Sequence, residues 1–538
     1  MMESKYKKRV VLALIFFIVL YGIVLVRLFF IQVYQHVFFT SLGSAQYNVS
    51  IKLEPPRAAI MDKNGVLLAI NKQVLSAFVL PHQLKEPKKT MAYLLKHYPA
   101  VHQRIVAHPE RYFFWVERRL SQEREEYLKS QDCADLNFVA EYRRWYPFPE
   151  MASVIGMTDI DNQGIAGLEL HYNKQLAGEP TTYSVQKDAR SNRFYFQKTV
   201  NKKGLEGIGL QTTLDKKLQF LVYEELKNTV EHFEAKRGAV MVLDPYTGAI
   251  EAMVNYPAFD PNGDIPADLS ITRNIAIAET YELGSVLKAF SALAGLAEGA
   301  AEYDELFDCE GKSAYINGFR VENPKAVGVI PFYDVVRYSS NVGLAKVADR
   351  LGSKLYDHLQ MLGFGTKTGI DFPGERSGFV NPPNRWSRSS VLVMSFGYEI
   401  TMTLLQLACA GSVFANGGYK VQPHFIVRDS AAPLKKLNYS EKTLQELDSI
   451  LTMIAQRHKV KGFNFKGKTG TARMVDNGQY STQKHLYTFM GIAERDGYKR
   501  VVVSFVQEPK KAHLWAADVA APLAMKVVEK LALTFDAH

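Results

Sequence analysis

Behind a basic cluster of Lys5, Lys7, Lys8 and Arg9, the chain runs from Val10 to Val26 without a charge, and "LFFIQV" extends the apolar run past Arg27. Helical residues advance about 1.5 Å each, so a run of this length crosses a bilayer hydrocarbon core of about 30 Å. Cytoplasmic flanks of membrane spans are enriched in Lys and Arg. That predicts a cytoplasmic tail over residues 1–9, a single-pass transmembrane anchor over 10–33, and all later residues on the periplasmic or extracellular side of the cytoplasmic (inner) membrane. A cleaved leader is the competing reading. Its small-residue site, "LGSA" at Leu42 to Ala45, lies far beyond the apolar run, which argues against cleavage.

The rest of the chain is too long for one ordinary domain. With 538 residues, 47% of them hydrophobic, it predicts two or three domains and at least one large core. The formal charge of +10 is modest, from 65 basic against 55 acidic residues, and no Lys/Arg-rich run interleaved with aromatics supports a nucleic-acid groove. Cys133, Cys309 and Cys409 are widely spaced, which indicates neither a metal site nor a disulfide framework, and they read as small buried thiols.

After the anchor, "KLEPPRAAIMDKNGVLLAIN" reads as an extended stretch, because Pro55-Pro56 excludes helix, followed by a hairpin turning at Asn64-Gly65. Lys85 to Ser130 is helical and heavily charged in pattern, and "YRRWYPFPEMASVIGMTDIDNQGIAGLE" is rich in turn formers. Residues 34–230 are therefore expected to form an irregular α+β pedestal without a nucleophile–base pattern of its own. "LDKKLQFLVYEELKNTVEHFEA" predicts a helix, and "GAVMVLDPYTGAIEAMV" predicts two strands joined at Asp244 to Gly248 that open a second domain over 231–538. Asn274 to Arg457 reads as mostly helical. Strands return in "FKGKTGTARM", "LYTFMGIAE" and "RVVVSFVQ" before a closing amphipathic helix, "VAAPLAMKVVEKLALTF". Two strands before a helical block and three after it predict an α+β fold. It would hold a five-stranded antiparallel sheet flanked by helices, plus a mostly helical subdomain.

In "YELGSVLKAFSALAGLAEG", Val286, Ala289, Phe290, Leu293 and Leu296 fall at helical spacing, which puts Ser285 at the first turn and Lys288 one turn on along the same face. A serine hydroxyl becomes a nucleophile when a base takes its proton, and a lysine can do so once burial and a second cation hold it neutral. The unpaired N–H of Ser285 at the start of a helix would suit an oxyanion. Ser-x-x-Lys alone is weak, since Ser4/Lys7, Ser184/Lys187 and Ser481/Lys484 repeat it, but only Ser285 opens a long apolar helix. Further on, "VVRYSSNVGLAKVADRLG" sets Ser339 and Asn341 before another amphipathic stretch. There they could relay a proton and hold a substrate carbonyl, or simply cap the helix. Lys-Thr-Gly occurs twice. "GFGTKTGIDFPGE" reads as a structural loop after a helix ending at Leu362, whereas "FKGKTGTARM" opens a β-rich segment. On that strand Lys468, Thr469 and Thr471 could face the nucleophile and grip a carboxylate, with the Thr471 N–H as second oxyanion donor. Gly470 would let a substrate backbone lie close, and Lys468 would help keep Lys288 neutral.

These three motifs in this order resemble the class B penicillin-binding proteins, membrane-anchored D,D-transpeptidases of cell-wall synthesis, over nearly the whole chain. "DPYTGAIEAMVNYPAFDPN" is similar to the family's first hairpin, and "YRRWYPFPEMASVIG" with "DNQGIAGLE" to its N-terminal module. "SSNVGLAKVA" and "FPGERSG" are more similar to the cell-division branch than to the elongation branch. The resemblance implies the penicillin-binding transpeptidase fold on a pedestal of dimerisation type, with no cofactor and no metal. It implies that Ser285 attacks the D-Ala-D-Ala end of a peptidoglycan stem peptide and that an amine of a neighbouring stem resolves the acyl-enzyme. β-Lactams would act as inhibitors by acylating Ser285, and a polytopic glycosyltransferase and division proteins would be partners. The chain departs from the family pattern at Leu283 (usually Pro), Val286 (usually Thr), Glu399 (commonly Gly), the glycine-poor stretch around Trp515, and Arg57-Ala58 (usually Arg-Gly).

Two other functions suit the same motifs: a β-lactam-binding sensor or scaffold, and a β-lactamase. A sensor would carry a cytoplasmic output domain, whereas the expected tail here is residues 1–9. A β-lactamase needs a base poised to activate water, and would need neither anchor nor pedestal.

Overall fold

A computed structural model describes residues 2–131, 133–187, 194–429, 434–455, 459–476, 478–511 and 514–535. Arg457, the expected end of the helical block, lies outside the described residues. Packing divides the chain into two units, Met1–Pro56 with Ala177–Gly207, and Arg57–Leu176 with Ile208–His538.

In the first unit a helix over Met2–Phe29 passes through a π turn, Phe30–Tyr34, into a second helix, His36–Tyr47. Tyr6–Tyr34 has the length and apolarity to cross a membrane, with mean hydropathy 2.8. Its apolar side chains are exposed all round, from Val10 (66%) to Phe29 (62%), as suits contact with lipid rather than with a protein core. The unit also holds a three-stranded antiparallel sheet in which Thr181–Lys187 lies between Asn48–Leu53 and Phe194–Lys202.

The second unit is built on helix α1 (Lys216–His232), strands β1 (Arg237–Leu243) and β2 (Ile250–Tyr256), helices α2 (Lys288–Ala297), α3 (Asn341–Leu351) and α4 (Leu404–Ala415), strands β3 (Asn464–Asp476), β4 (Gln479–Arg495) and β5 (Tyr498–Gln507), and helix α5 (Ala520–Phe535). The five strands form one antiparallel sheet, as the sequence predicts, and the structure sets their order as β2-β1-β5-β4-β3. Strand β1 is apolar at almost every position because both faces are covered. Ala239, Met241 and Leu243 enter the core shared with α2 and α4, while Val240 and Val242 enter the core shared with α1 and α5. Helix α4 is buried along its whole length, and a reciprocal Thr403/Gln406 capping box starts it. Burying the centre of the sheet leaves β3 at the edge, beside the turn that carries Ser285.

The hairpin expected at Asn64-Gly65 joins Ile60–Met61 to Leu67–Val79, and the Asp62 carboxylate accepts from the N–H groups of Asn64 and Val66. Lys85 to Ser130 is helical at Pro87–His97, Pro99–Ala107 and Gln122–Ser130, but Phe114–Glu117 is a strand paired with Leu67–Val79. Its inward Phe114 and Val116 alternate with Trp115 and Glu117, a period too short to stand out between charged flanks. A buried ionic triad anchors this region. Arg57 Nε lies 2.6 Å and Arg144 Nε 2.7 Å from the two oxygens of Glu169, and all three side chains are almost wholly buried. All three cysteines are free and buried.

Candidate active site

Ser285 stands in a short 3-10 turn, Gly284–Leu287, that runs directly into α2, whose first residue is Lys288. Three glycines let neighbouring backbone grip this turn. Gly284 has φ +60°, and a Cβ there would lie 2.6 Å from the Thr471 carbonyl oxygen. A Cβ on Gly470 would lie 2.3 Å from the Leu283 carbonyl oxygen, and one on Gly397 2.2 Å from that of Gly284. The space a side chain would take at Gly470 is thus filled by the chain's own nucleophile turn. Leu283, just before the turn, and Val286, within it, are both buried.

Lys288 is fully buried, and its Nζ donates to the Ser339 carbonyl at 2.5 Å and to Ser339 Oγ at 3.0 Å. From the other side Lys468 Nζ approaches the same hydroxyl at 3.3 Å and the Thr469 carbonyl at 3.2 Å. Burial, and then the charge of Lys468, holds the Lys288 amine well below its ordinary pKa, and burial lowers that of Lys468 to about 8. No carboxylate neutralises either amine in the site among the described residues, so Lys288 is the one poised to be uncharged, while Lys468 keeps its proton near pH 7. The Ser285 hydroxyl makes no protein hydrogen bond among the described residues.

Ser339 occupies the left-handed region at φ +60°, a conformation that costs a non-glycine residue about 1–2 kcal/mol. Asn341 begins α3, with its Nδ2 donating to the Glu322 carbonyl at 2.6 Å and not to either lysine or the nucleophile turn. Its Oδ1 has no protein partner among the described residues. Capping of α3 falls instead to Ser340, whose Oγ accepts from Gly343 N. The sequence reading missed Asn323, which follows the strand Phe319–Glu322. Its Oδ1 accepts from Ser340 Oγ, Asn341 N and Val342 N, and its Nδ2 donates to the carbonyls of Cys309 and Gly311. In the sequence an Asn-Pro pair at 323–324 marks a turn and carries no sign of this role.

Strand alternation divides the last motif. Lys468 and Gly470 face the nucleophile turn, whereas Thr469 and Thr471 alternate away from it, and Thr471 Oγ1 accepts from Ala516 N beside the exposed Trp515. The other Lys-Thr-Gly is a structural loop, as expected: Glu375 clamps it by accepting from Thr368 N, Thr368 Oγ1 and Gly369 N. Glu399 has φ +55°, which explains why glycine suits that position. Its N–H donates to Glu282 Oε1, and Tyr480 OH donates to Glu282 Oε2, tying the β3–β4 hairpin to the turn before Ser285.

Two family descriptions match this chain: the penicillin-binding protein transpeptidase domain over residues 238–529 and the penicillin-binding protein dimerisation domain over residues 52–212. The probable peptidoglycan D,D-transpeptidase PenA of Neisseria gonorrhoeae is 30% identical, across 95% of this chain and 90% of that protein. The peptidoglycan D,D-transpeptidase FtsI of Escherichia coli K12 is 28% identical, across 87% of this chain and 82% of that one. Among solved structures, penicillin-binding protein 3 of Mycobacterium tuberculosis superposes with a TM-score of 0.69 at 25% identity, covering 90% of this chain and 97% of that one. It has also been solved with aztreonam. Matching sheet, motif order and both domains over nearly the full length, the chain belongs to the penicillin-binding protein transpeptidase family, as a class B member.

Proposed function

We propose that this protein is a serine-type peptidoglycan D,D-transpeptidase in which Ser285 carries the acyl group. The observation that supports this most directly is the placement of one hydroxyl, Ser339 Oγ, between two buried amines, that of Lys288 one helical turn after Ser285 and that of Lys468 on the edge strand. Uncharged Lys288 takes the Ser285 proton as Oγ bonds to the carbonyl carbon of the penultimate D-Ala. The N–H groups of Ser285 and Thr471 receive the developing oxyanion. The C–N bond then breaks, and the proton passes from Lys288 through Ser339 to the departing D-Ala amine. An amine from a second stem attacks the ester and returns a proton along the same route, which restores Ser285. Lys468 and the backbone of the edge strand bind the terminal carboxylate, and Asn341 holds the donor peptide through its free Oδ1.

In this reading residues 1–9 are cytoplasmic, 10–33 form the anchor, 34–230 the pedestal and 231–538 the catalytic domain outside the membrane. A polytopic glycosyltransferase and division proteins engage the anchor and pedestal, and the work is septal. β-Lactams acylate Ser285 as substrate mimics. The test is mass spectrometry of the detergent-solubilised full chain after incubation with a penicillin. One adduct on the peptide containing Ser285, persisting for minutes and absent in Ser285→Ala, is expected. An adduct elsewhere, or release within seconds, would refute the assignment.

A further inference from the structure

Asn323 is almost buried, belongs to none of the three motifs, and its side-chain amide makes five hydrogen bonds. Two of them take up the first backbone N–H groups of α3, which a helix leaves without internal partners, and a third orients Ser340, which caps Gly343. The two bonds to the Cys309 and Gly311 carbonyls hold the amide itself in place. Ser339 lies one residue before Ser340, in a left-handed conformation that would relax unless the chain were held on both sides. On one side its N–H reaches the Val336 carbonyl. On the other, the next three residues are all tied directly to Asn323.

We infer that Asn323 is a positioning residue for the acyl transfer proposed above, on which this rests: it holds the start of α3 so that Ser339 Oγ stays between Lys288 and Lys468. The groups facing that hydroxyl are the amine of Lys288 from α2 and the amine of Lys468 from β3. Without the amide, the left-handed turn relaxes and Ser339 Oγ leaves the two amines by a fraction of an ångström or more. Displacements near 1 Å cost about 100-fold in a positioned reaction. Noncovalent binding of the ligand rests chiefly on the edge strand, which Asn323 does not touch, and changes far less than the covalent step.

Stopped-flow acylation of the full chain in detergent by a fluorescent penicillin separates initial binding from the covalent step. Asn323→Ala is expected to slow the covalent step about 30- to 100-fold while initial binding stays within about threefold. Asn323→Asp keeps the three accepted bonds and should remain within about fivefold of the parent. Asn323→Leu fills the volume, accepts nothing and should fall with Asn323→Ala. Together these two make the result independent of whether Asn323→Ala folds. Val321→Ala, in the adjoining strand, reports a purely structural loss: at a comparable drop in Tm it should acylate at nearly the parental rate. Parental acylation by Asn323→Ala or Asn323→Leu, or equal slowing by Val321→Ala, would overturn the inference while leaving the transpeptidase reading intact. A parent chain that forms no adduct at Ser285 would overturn that reading, and the inference with it.

Discussion

Gly470→Ala places one methyl group where the structure has the least room. The new Cβ would lie 2.3 Å from the Leu283 carbonyl oxygen, 3.0 Å from Val286 Cβ and 3.1 Å from Val286 N. Ordinary contact needs about 3.4 Å, so either β3 or the nucleophile turn must move by about 1 Å, and both are backbone. Such a move takes Lys468 Nζ, already 3.3 Å from Ser339 Oγ, out of hydrogen-bonding range. Overpacking of this kind costs about 1–3 kcal/mol, a fall in Tm of several degrees, and the misplaced site should acylate about 100-fold more slowly. Stopped-flow reaction with a fluorescent penicillin separates the two possible roles of Gly470. If the residue admits the turn, the covalent step slows. If it admits the substrate, initial binding weakens and the covalent step does not change. Acylation within threefold of the parent, at an unchanged Tm, would refute the steric argument altogether.

Lys468 carries a depressed pKa, about 8 against about 10.4 unfolded, so the unfolded chain binds more protons between those values and the native state gains stability as pH rises through them. Lys468→Met removes this dependence, and its Tm advantage over the parent, worth up to about 3 kcal/mol at pH 7, should vanish by about pH 10.4 in calorimetry. A gap that does not change with pH would contradict the burial argument. The same substitution removes the cation that repels a proton from Lys288, so the acidic limb of the acylation rate should move to higher pH. A stationary limb would deny the coupling. Glu169→Ala leaves Arg57 and Arg144 buried without a counter-charge and should cost about 3–5 kcal/mol, read as a large drop in Tm. An unchanged Tm would mean that the triad contributes nothing to stability.

Short-range chemistry was legible in the chain itself. The apolar run after a basic flank, the hairpin at Asn64-Gly65, the helix ending at Leu362 and the positions of the five strands along the chain rest on neighbours a few residues apart, where periodicity and turn residues act. The strand at Phe114–Glu117 escaped because only pairing with Leu67–Val79 makes it a strand. What tertiary structure alone decided is who touches whom. Lys288 and Ser339 are 51 residues apart and Ser339 and Lys468 are 129 apart, yet one hydroxyl joins all three. No local pattern shows that Asn341 turns to Glu322, that Gly470 packs against the Leu283 carbonyl, or that Asn323 holds α3. Those contacts follow from how two cores close around the sheet and leave β3 as its edge, and burial in that closed core is what makes ordinary lysines reactive.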